Sequence, residues 1–393
     1  MKSSKEVEHW LRLILVGGGI FVGLSFAELL LRVFPPQEDL ATIYQMERIP
    51  ETMLMAKYDS KVGFRMEPNT TLPYQNSELR FTIATDGQGF RKLTQTANGE
   101  PLVLFVGDSF VWGTGVEASE TVAARFAELA HLASPALPLA APGWSSGQEM
   151  LALESYLGAG HRPSLAVFLF FLDNDLHENI SPSPIYPRFF LSRNGALQWQ
   201  LSEGGPQAVS LLRNYGSKGL GGWSLFWSTA RWGILDRLLS RSRVWIRLRN
   251  TILNRHFWRS KDSARQELNY ELTIEAKIMN RIAADLNAKS IDFVFCDLPP
   301  YAAVISGHDE VNDWFERECA AQGYRCVNLL ESILKLPVNQ RKKLYFPLDQ
   351  HWTAAGHKFG AQTLYSHYGG FFPRNNPPAN GPLGTEVTAV KTP

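Results

Sequence analysis

The sequence predicts an α/β protein built on a parallel, doubly wound sheet, and two observations carry that prediction. Short apolar runs at 101–107, 137–141, 165–172, 291–297 and 325–329 have the length and composition of strands buried on both faces. Around them, apolar residues recur at helical spacing over 120–132, 147–158, 267–288, 309–322 and 353–367. Strands that alternate with helices build sheets covered by helices on both sides. No internal repeat breaks the rhythm. With 393 residues, 45% hydrophobic and 20% charged, the chain is long enough to bury a sizeable core.

Taken in order, the chain opens with a basic segment, 1–12, carrying Lys2, Lys5 and Arg12. An apolar stretch follows over 13–34; from Leu13 to Leu31 it reads LILVGGGIFVGLSFAELLL and holds one charge, Glu28. A bilayer-spanning helix needs about 20 apolar residues, so the expectation is a transmembrane anchor. The preceding basic residues favour a cytoplasmic N-terminus. That arrangement is a single-pass inner-membrane protein with its body on the periplasmic or extracytoplasmic side. Ser25-Phe26-Ala27 also has the small-x-small form of a signal-peptide cleavage site, which leaves cleavage open, although LLLRVF carries the apolar run past it. Gly19 and Gly23 form a GxxxG, read as a permissive helix face rather than a dimer seam.

Residues 35–100 are Pro-rich and mixed and read as a linker and N-terminal extension, with a short strand and an Asp86-Gly87 turn in FTIATDGQGFRK. The α/β body then occupies 101–204 and 266–371. Between these parts lies an insertion, 205–265, that departs from the pattern. From Leu211 to Arg265 it holds twelve Lys or Arg against two Asp, interleaved with Trp223, Trp227, Trp232, Trp245 and Trp258. Cationic helices bearing Trp settle at membrane surfaces, and Arg with Trp also suits anionic or sugar ligands; an ordinary helical lid with a solvated charged face is the other reading. The net charge of +1 and the export signal argue against nucleic acid as a partner. The tail, 372–393, lacks the apolar content to pack and is expected to be disordered. Of three cysteines, Cys296 sits in an apolar run as a core residue, while Cys319 and Cys326 can join across a helix end if the compartment is oxidising.

The candidate chemistry lies at strand ends. In LVLFVGDSFVWGTGV a buried strand runs into Gly107, Asp108 and Ser109, where open α/β sheets place their ligands. The loop lacks GxxxxGK[ST] and GxGxxG, so a phosphate cradle is disfavoured and a nucleophile favoured. A serine nucleophile needs a histidine base, an orienting carboxylate and oxyanion donors. PLDQHWTAAGHKF supplies Asp349 and His351 ahead of a helix, with His357 read as packing. Asn174 in FLDNDL and Gly143 in APGWSS follow two further strands and can donate to an oxyanion from a side-chain amide and a backbone N–H. A competing elbow exists: Gly143-Trp144-Ser145-Ser146-Gly147 is a GxSxG, and Ser145, Asp297 and His351 run in the chain order of α/β-hydrolases.

Taken together, Ser109 in GDSF, Gly143 in APGWSS, Asn174 in DNDL and Asp349 with His351 in DQHW resemble the SGNH hydrolase superfamily, the GDSL-like esterases, over about residues 80–368 with the insertion excluded. The resemblance implies a flavodoxin-like three-layer fold and acyl-serine chemistry that uses no metal or cofactor. Ser109 would attack an ester carbonyl, His351 would act as base and then acid, and Asp349 would orient it; Ser109 N–H, Gly143 N–H and Asn174 would hold the oxyanion. Two positions depart from the family pattern. Leu172 stands where the third block usually has glycine, and the spacing is Asp-x-His rather than Asp-x-x-His. The tighter spacing is similar to that of exopolysaccharide O-acetylation proteins. The expected function is therefore a serine esterase or O-acyltransferase on ester-linked acyl groups, acetyl foremost, of a surface or extracellular polysaccharide, with a membrane-bound acyl-donor protein as a further partner. A non-catalytic glycan-binding or export-assembly domain and a lipid esterase at the membrane surface are the alternatives. Trp112, Trp144 and Trp352 flank the candidate residues and suit either sugar stacking or the core.

Overall fold

A helix that is apolar on every side opens the structure, a computed structural model that describes residues 4–36, 40, 44, 48–93, 103–132, 136–218, 242–245, 247 and 261–368. In this helix, α1 (Ser4–Val33), the segment Glu8–Val33 is long and apolar enough to cross a membrane. Its Ile14, Leu15, Phe21 and Val22 stay exposed, so they do not pack into the core of the described residues. Glu28 is satisfied by the insertion: it accepts hydrogen bonds from the Ser242 hydroxyl (2.9 Å) and from the backbone N–H groups of Arg243 and Val244 (3.0 Å each). Apart from this contact and the elements named below, the insertion's Trp223, Trp227, Trp232 and Trp258, and the tail 372–393, lie outside the described residues.

The segment expected to be a linker is ordered wherever it is described. After α2 (Glu51–Met55), strands β1 (Ala56–Asp59) and β2 (Gly63–Met66) form one antiparallel hairpin, and β3 (Thr71–Gln75) and β4 (Arg80–Ala84) a second. Alternation explains the second: along RFTIA, Phe81 and Ile83 turn inward and join the same core as the central sheet. The Asp86 turn forms as the sequence indicates, Asp86 Oδ1 accepting from the N–H groups of Gln88 and Phe90 (2.9 Å each).

The α/β body begins at β5 (Val103–Gly107), fully buried, which runs through the short α3 (Ser109–Trp112) and α4 (Val122–Leu129) to β6 (Leu137–Ala140). Helix α5 (Ser146–Gly158) leads to β7 (Leu165–Phe170), again wholly buried, and α6 (Leu172–Ile180). A surface hairpin of β8 (Arg188–Leu191) and β9 (Leu197–Gln200) and helix α7 (Gly205–Ser217) precede the long α8 (Lys261–Asn287). The chain then forms β10 (Asp292–Asp297), α9 (Tyr301–Ser306), α10 (Glu310–Gln322), β11 (Cys326–Asn328), α11 (Leu329–Leu334), α12 (Val338–Arg341) and α13 (Ala354–Tyr368).

The five body strands pair in parallel in the order β11-β10-β7-β5-β6. Counted along the chain, that order is 2-1-3-4-5, the flavodoxin-like arrangement, and its direction reverses between β5 and β7. Right-handed crossovers then put α4 on the opposite face from α5 and α8, and α13 packs beside α4. The apolar run expected as a strand over 165–172 ends at Phe170. Phe171 caps a helix instead, its ring tilted against Phe110 with centroids 4.8 Å apart. Cys319 and Cys326 are joined by a disulfide, with Cα atoms 6.3 Å apart, and Cys296 is buried and free.

Candidate active site

Gly107 ends β5 and is required there. A Cβ at this position would lie 2.4 Å from Val111 Cγ2 and 3.0 Å from the Leu169 carbonyl oxygen, so only glycine lets the chain turn back this tightly. Asp108 follows, fully buried, and caps α3: its Oδ1 accepts from the Phe110 N–H (2.9 Å), and its Oδ2 lies 3.1 Å from the Ser109 Oγ. Ser109 therefore opens a helix at the switch point of the sheet.

His351 reaches Ser109 across 242 residues of chain, its Nε2 lying 2.7 Å from the serine Oγ. Its Nδ1 is hydrogen-bonded to Asp349 Oδ1. Phe110 flanks the imidazole, ring centroids 4.8 Å apart. The tight Asp-x-His spacing is made possible by Gln350, whose φ of +67 places it in the left-handed region. A non-glycine residue there is strained by about 1 kcal/mol or more, and the turn brings the two flanking side chains together. Hydrogen bonds on both sides hold the loop: Phe346 N–H donates to the His351 carbonyl (2.8 Å), and the N–H groups of Leu348 and Asp349 donate to Glu78 (3.0 and 2.6 Å).

Behind Asp349 stands a set of residues from the segment read as linker. Tyr44 donates its hydroxyl to Asp349 Oδ2 (2.9 Å), and Arg48 Nη1 lies 3.1 Å from the same oxygen while its Nη2 pairs with Glu51 (3.0 Å). Burial pushes the Asp349 carboxyl up. The His351 charge, the Arg48 guanidinium and hydrogen bonds from His351 and Tyr44 outweigh it and hold the group well below the usual carboxylate range. The ion pair is sealed, whereas 15% of the His351 side chain is exposed, so the imidazole meets solvent and the carboxylate bonded to it does not. Neither Tyr44 nor Arg48 stands out in the sequence, because neither lies near a strand end or beside a motif. Only the contacts of Tyr44 and Arg48 with Asp349 in the 345–352 loop reveal them.

The expected oxyanion donors lie at the same sheet edge. Gly107 pairs with Ala140 and Leu169, so the loops after β6 and β7 flank Ser109. Gly143 has φ +78, and a Cβ there would sit 3.2 Å from the Tyr186 hydroxyl. Among the described residues its N–H donates no hydrogen bond. Asn174 lies in the first turn of α6 rather than in a loop. Its Nδ2 is 3.4 Å from Glu178 Oε2, and its Oδ1 is buried without a partner. Leu172 is buried at the start of that helix.

The competing elbow does not assemble. Ser145 is fully buried at the start of α5, and His351 bonds Ser109 instead. Asp297 spends its carboxylate on Asn312 and on the Leu329 N–H (2.8 Å). The sugar-stacking reading of three tryptophans is also overturned: Trp112, Trp144 and Trp352 are at most 1% exposed and belong to the core. His357 is packing, as read. It is buried, Nδ1 accepts from the Val122 N–H (3.2 Å), and burial, with the His351 and Arg91 charges, lowers it to about 3. Away from the triad, His177, Glu267 and Glu271 form the one group among the described residues whose possible metal-ligand atoms lie within 4.8 Å of one another.

Beneath Ser109 lies a buried acidic layer that the sequence reading missed. Burial, then the charges of Asp108 and Glu275, push Glu149 far up. Burial raises Asp175 likewise, with Glu149, Asp108, Glu275 and Glu178 adding to it. Both oxygens of Glu149 and of Asp175 are buried without hydrogen-bond partners. Glu275 rises to about 7 by burial, opposed by hydrogen bonds from Ser146 and Asn179, and Asp297 also rises to about 7 by burial. A carboxyl raised in the folded state contributes its full stability below its unfolded pKa and loses it as pH climbs to the folded value. His357 has the opposite sign but acts only below 6.5. Stability is therefore expected to fall as pH rises from 6.5 to 7.5, by on the order of 1 kcal/mol per unmatched proton. Urea unfolding across that window measures it; a flat or rising profile would contradict the neutral state of these acids.

Compared with protein-family models and with curated proteins, the chain matches none of them. A functional reading therefore rests on the geometry of this site.

Proposed function

We propose that the chain is a serine esterase or O-acyltransferase of SGNH type, held at a membrane by α1, acting on ester-linked acetyl groups of a surface or extracellular polysaccharide. One observation carries the reading: the unbroken hydrogen-bonded run from Arg48 through Asp349 and His351 to the Ser109 hydroxyl. In such a run the serine Oγ attacks the ester carbonyl while His351 Nε2 takes its proton. Asp349 stabilises the imidazolium that forms and stays ionised. His351 then returns the proton to the leaving alcohol, leaving an acetyl-serine. A water or an acceptor hydroxyl repeats the cycle in reverse, giving acetate in the first case and an acetylated acceptor in the second. The polysaccharide assignment draws its support from the apolar helix and from the tight Asp-x-His loop, since the three tryptophans are unavailable for stacking.

The test is intact mass after brief incubation with an aryl acetate. A gain of one acetyl group on the wild type, absent from Ser109→Ala, is the expected result. No adduct and no acetate release from a folded wild type would favour the non-catalytic binding domain. A rate that climbs steadily with acyl chain length would favour the lipid esterase.

A further inference from the structure

Away from Ser109, where α6 packs against α8, an imidazole and two carboxylates converge. Glu267 and Glu271 stand four residues apart on α8, so their carboxylates share one face of that helix. His177 meets them from the last turn of α6, its Nδ1 3.2 Å from Glu271 Oε1. One ligand atom from each of the three residues lies within 4.8 Å of the other two. A cation held at about 2.0–2.2 Å from imidazole nitrogen and carboxylate oxygen spaces its ligands about 3–4 Å apart, so side-chain shifts of under about 1 Å close all three around one ion.

Two further features set this group apart from an ordinary surface pair. The Glu271 side chain is only 12% exposed, yet among the described residues it pairs with no Lys or Arg, and its polar partner is His177. An enclosed carboxylate without a cation is costly, and a second carboxylate beside it adds like charge. On the far side of the imidazole, Ser181 Oγ lies 2.8 Å from His177 Nε2. An outer partner of this kind fixes the ring and the tautomer of a metal-bound histidine. With Nε2–H donating to Ser181, Nδ1 turns its lone pair toward the carboxylates, and a cation fills the gap between them. We propose that His177, Glu267 and Glu271 form a divalent cation site of the zinc class that pins α6 to α8. One imidazole nitrogen and two carboxylate oxygens suit a borderline ion with a water as fourth ligand, whereas calcium takes six to eight oxygens and magnesium keeps most of its water. The His177 side chain is 47% exposed, which gives the ion a way in. The pinned helices also frame the candidate active site: Asn174 stands in the first turn of α6, and Glu275 of α8 accepts from the Ser146 hydroxyl at the start of α5. The assignment does not depend on the esterase reading.

The experiment titrates the full chain, purified in detergent and stripped of metal by a chelator, with zinc chloride against a chromophoric indicator. The samples are wild type, His177→Ala, Glu267→Gln, Glu271→Gln and the control His308→Ala, whose ring lies beside Asp313 at the surface; circular dichroism checks each fold. One zinc per chain is expected in wild type and in the control, weakened about 100-fold by His177→Ala and about tenfold by each glutamine. Zinc at about 100 times its Kd should raise the wild-type Tm by about 3–5 °C and leave His177→Ala unmoved. Calcium and magnesium at the same concentration should do neither. X-ray absorption of the zinc-loaded wild type, which needs no variant, should show one imidazole among nitrogen and oxygen ligands at about 2.0–2.1 Å. A wild type that binds no zinc, zinc binding that His177→Ala or Glu271→Gln retains in full, or a site that takes calcium or magnesium as well as zinc would each overturn the assignment.

Discussion

Replacing Ser109 with alanine is expected to lower kcat for ester cleavage by a factor on the order of 10⁴ to 10⁶, and His351→Ala by a similar factor. The two residues share one proton across the 2.7 Å contact between Nε2 and Oγ, so each is useless to the other alone. The double variant should therefore be about as slow as either single one, where independent contributions would multiply. Fold stability should barely move for Ser109→Ala. That change removes only a hydroxyl hydrogen-bonded to Asp108 and His351, and leaves the Asp108 cap on the Phe110 N–H in place. Steady-state rates on an aryl acetate, with urea unfolding alongside, check both parts. A Ser109→Ala rate within tenfold of wild type would mean that the nucleophile lies elsewhere.

The second large effect falls on a residue outside the reacting atoms. Arg48→Ala strips the shared cation from Asp349 and Glu51, whose side chains are fully buried. Breaking a buried pair by removing one partner leaves an uncompensated charge and typically costs about 3–5 kcal/mol. For a chain of this size, that is a drop in Tm on the order of 10 °C. The rate should fall as well, by about 10- to 100-fold, the range seen when an outer partner that orients a site residue is lost. The sign of its pH dependence follows from the direction of the shift. Without Arg48 the Asp349 carboxyl moves back up toward its ordinary range, so the variant should lose activity at a higher pH than wild type as the solution is acidified. Calorimetry and acid-limb rate profiles measure the two effects. Arg48→Lys keeps the charge but not the fork that grips both carboxylates, and should fall between the two. A stable, fully active Arg48→Ala would show that Tyr44 and His351 suffice to hold Asp349.

Ser109, His351 and Asp349 were legible in the sequence because strand ends announce themselves. A wholly apolar run followed by Gly-Asp-Ser has one plausible place in an α/β sheet, and a carboxylate two residues from a histidine is a local pattern. The shortened spacing, which looked like a departure, is accommodated by the left-handed backbone of Gln350. Arg48, Tyr44 and the acidic layer under Ser109 were not legible, for a common reason. Each gains its meaning from what it is buried against, and the burial of polar side chains leaves no periodic trace. The tryptophans failed in the opposite direction: adjacency in sequence to the site residues suggested contact with substrate, but the same residues point into the core.

By itself, then, the amino-acid order determined the strand and helix alternation, the apolar span at the N-terminus and the identity of the three hydrogen-bonded residues, because apolar periodicity and strand-end turns are local properties. Tertiary structure alone decided the 2-1-3-4-5 strand order, the burial of Trp112, Trp144 and Trp352, and the role of Tyr44 and Arg48 as the support for Asp349. Those outcomes depend on which distant side chains share a low-dielectric interior, where an unpaired charge is expensive and every carboxylate must find a cation, a donor or a proton.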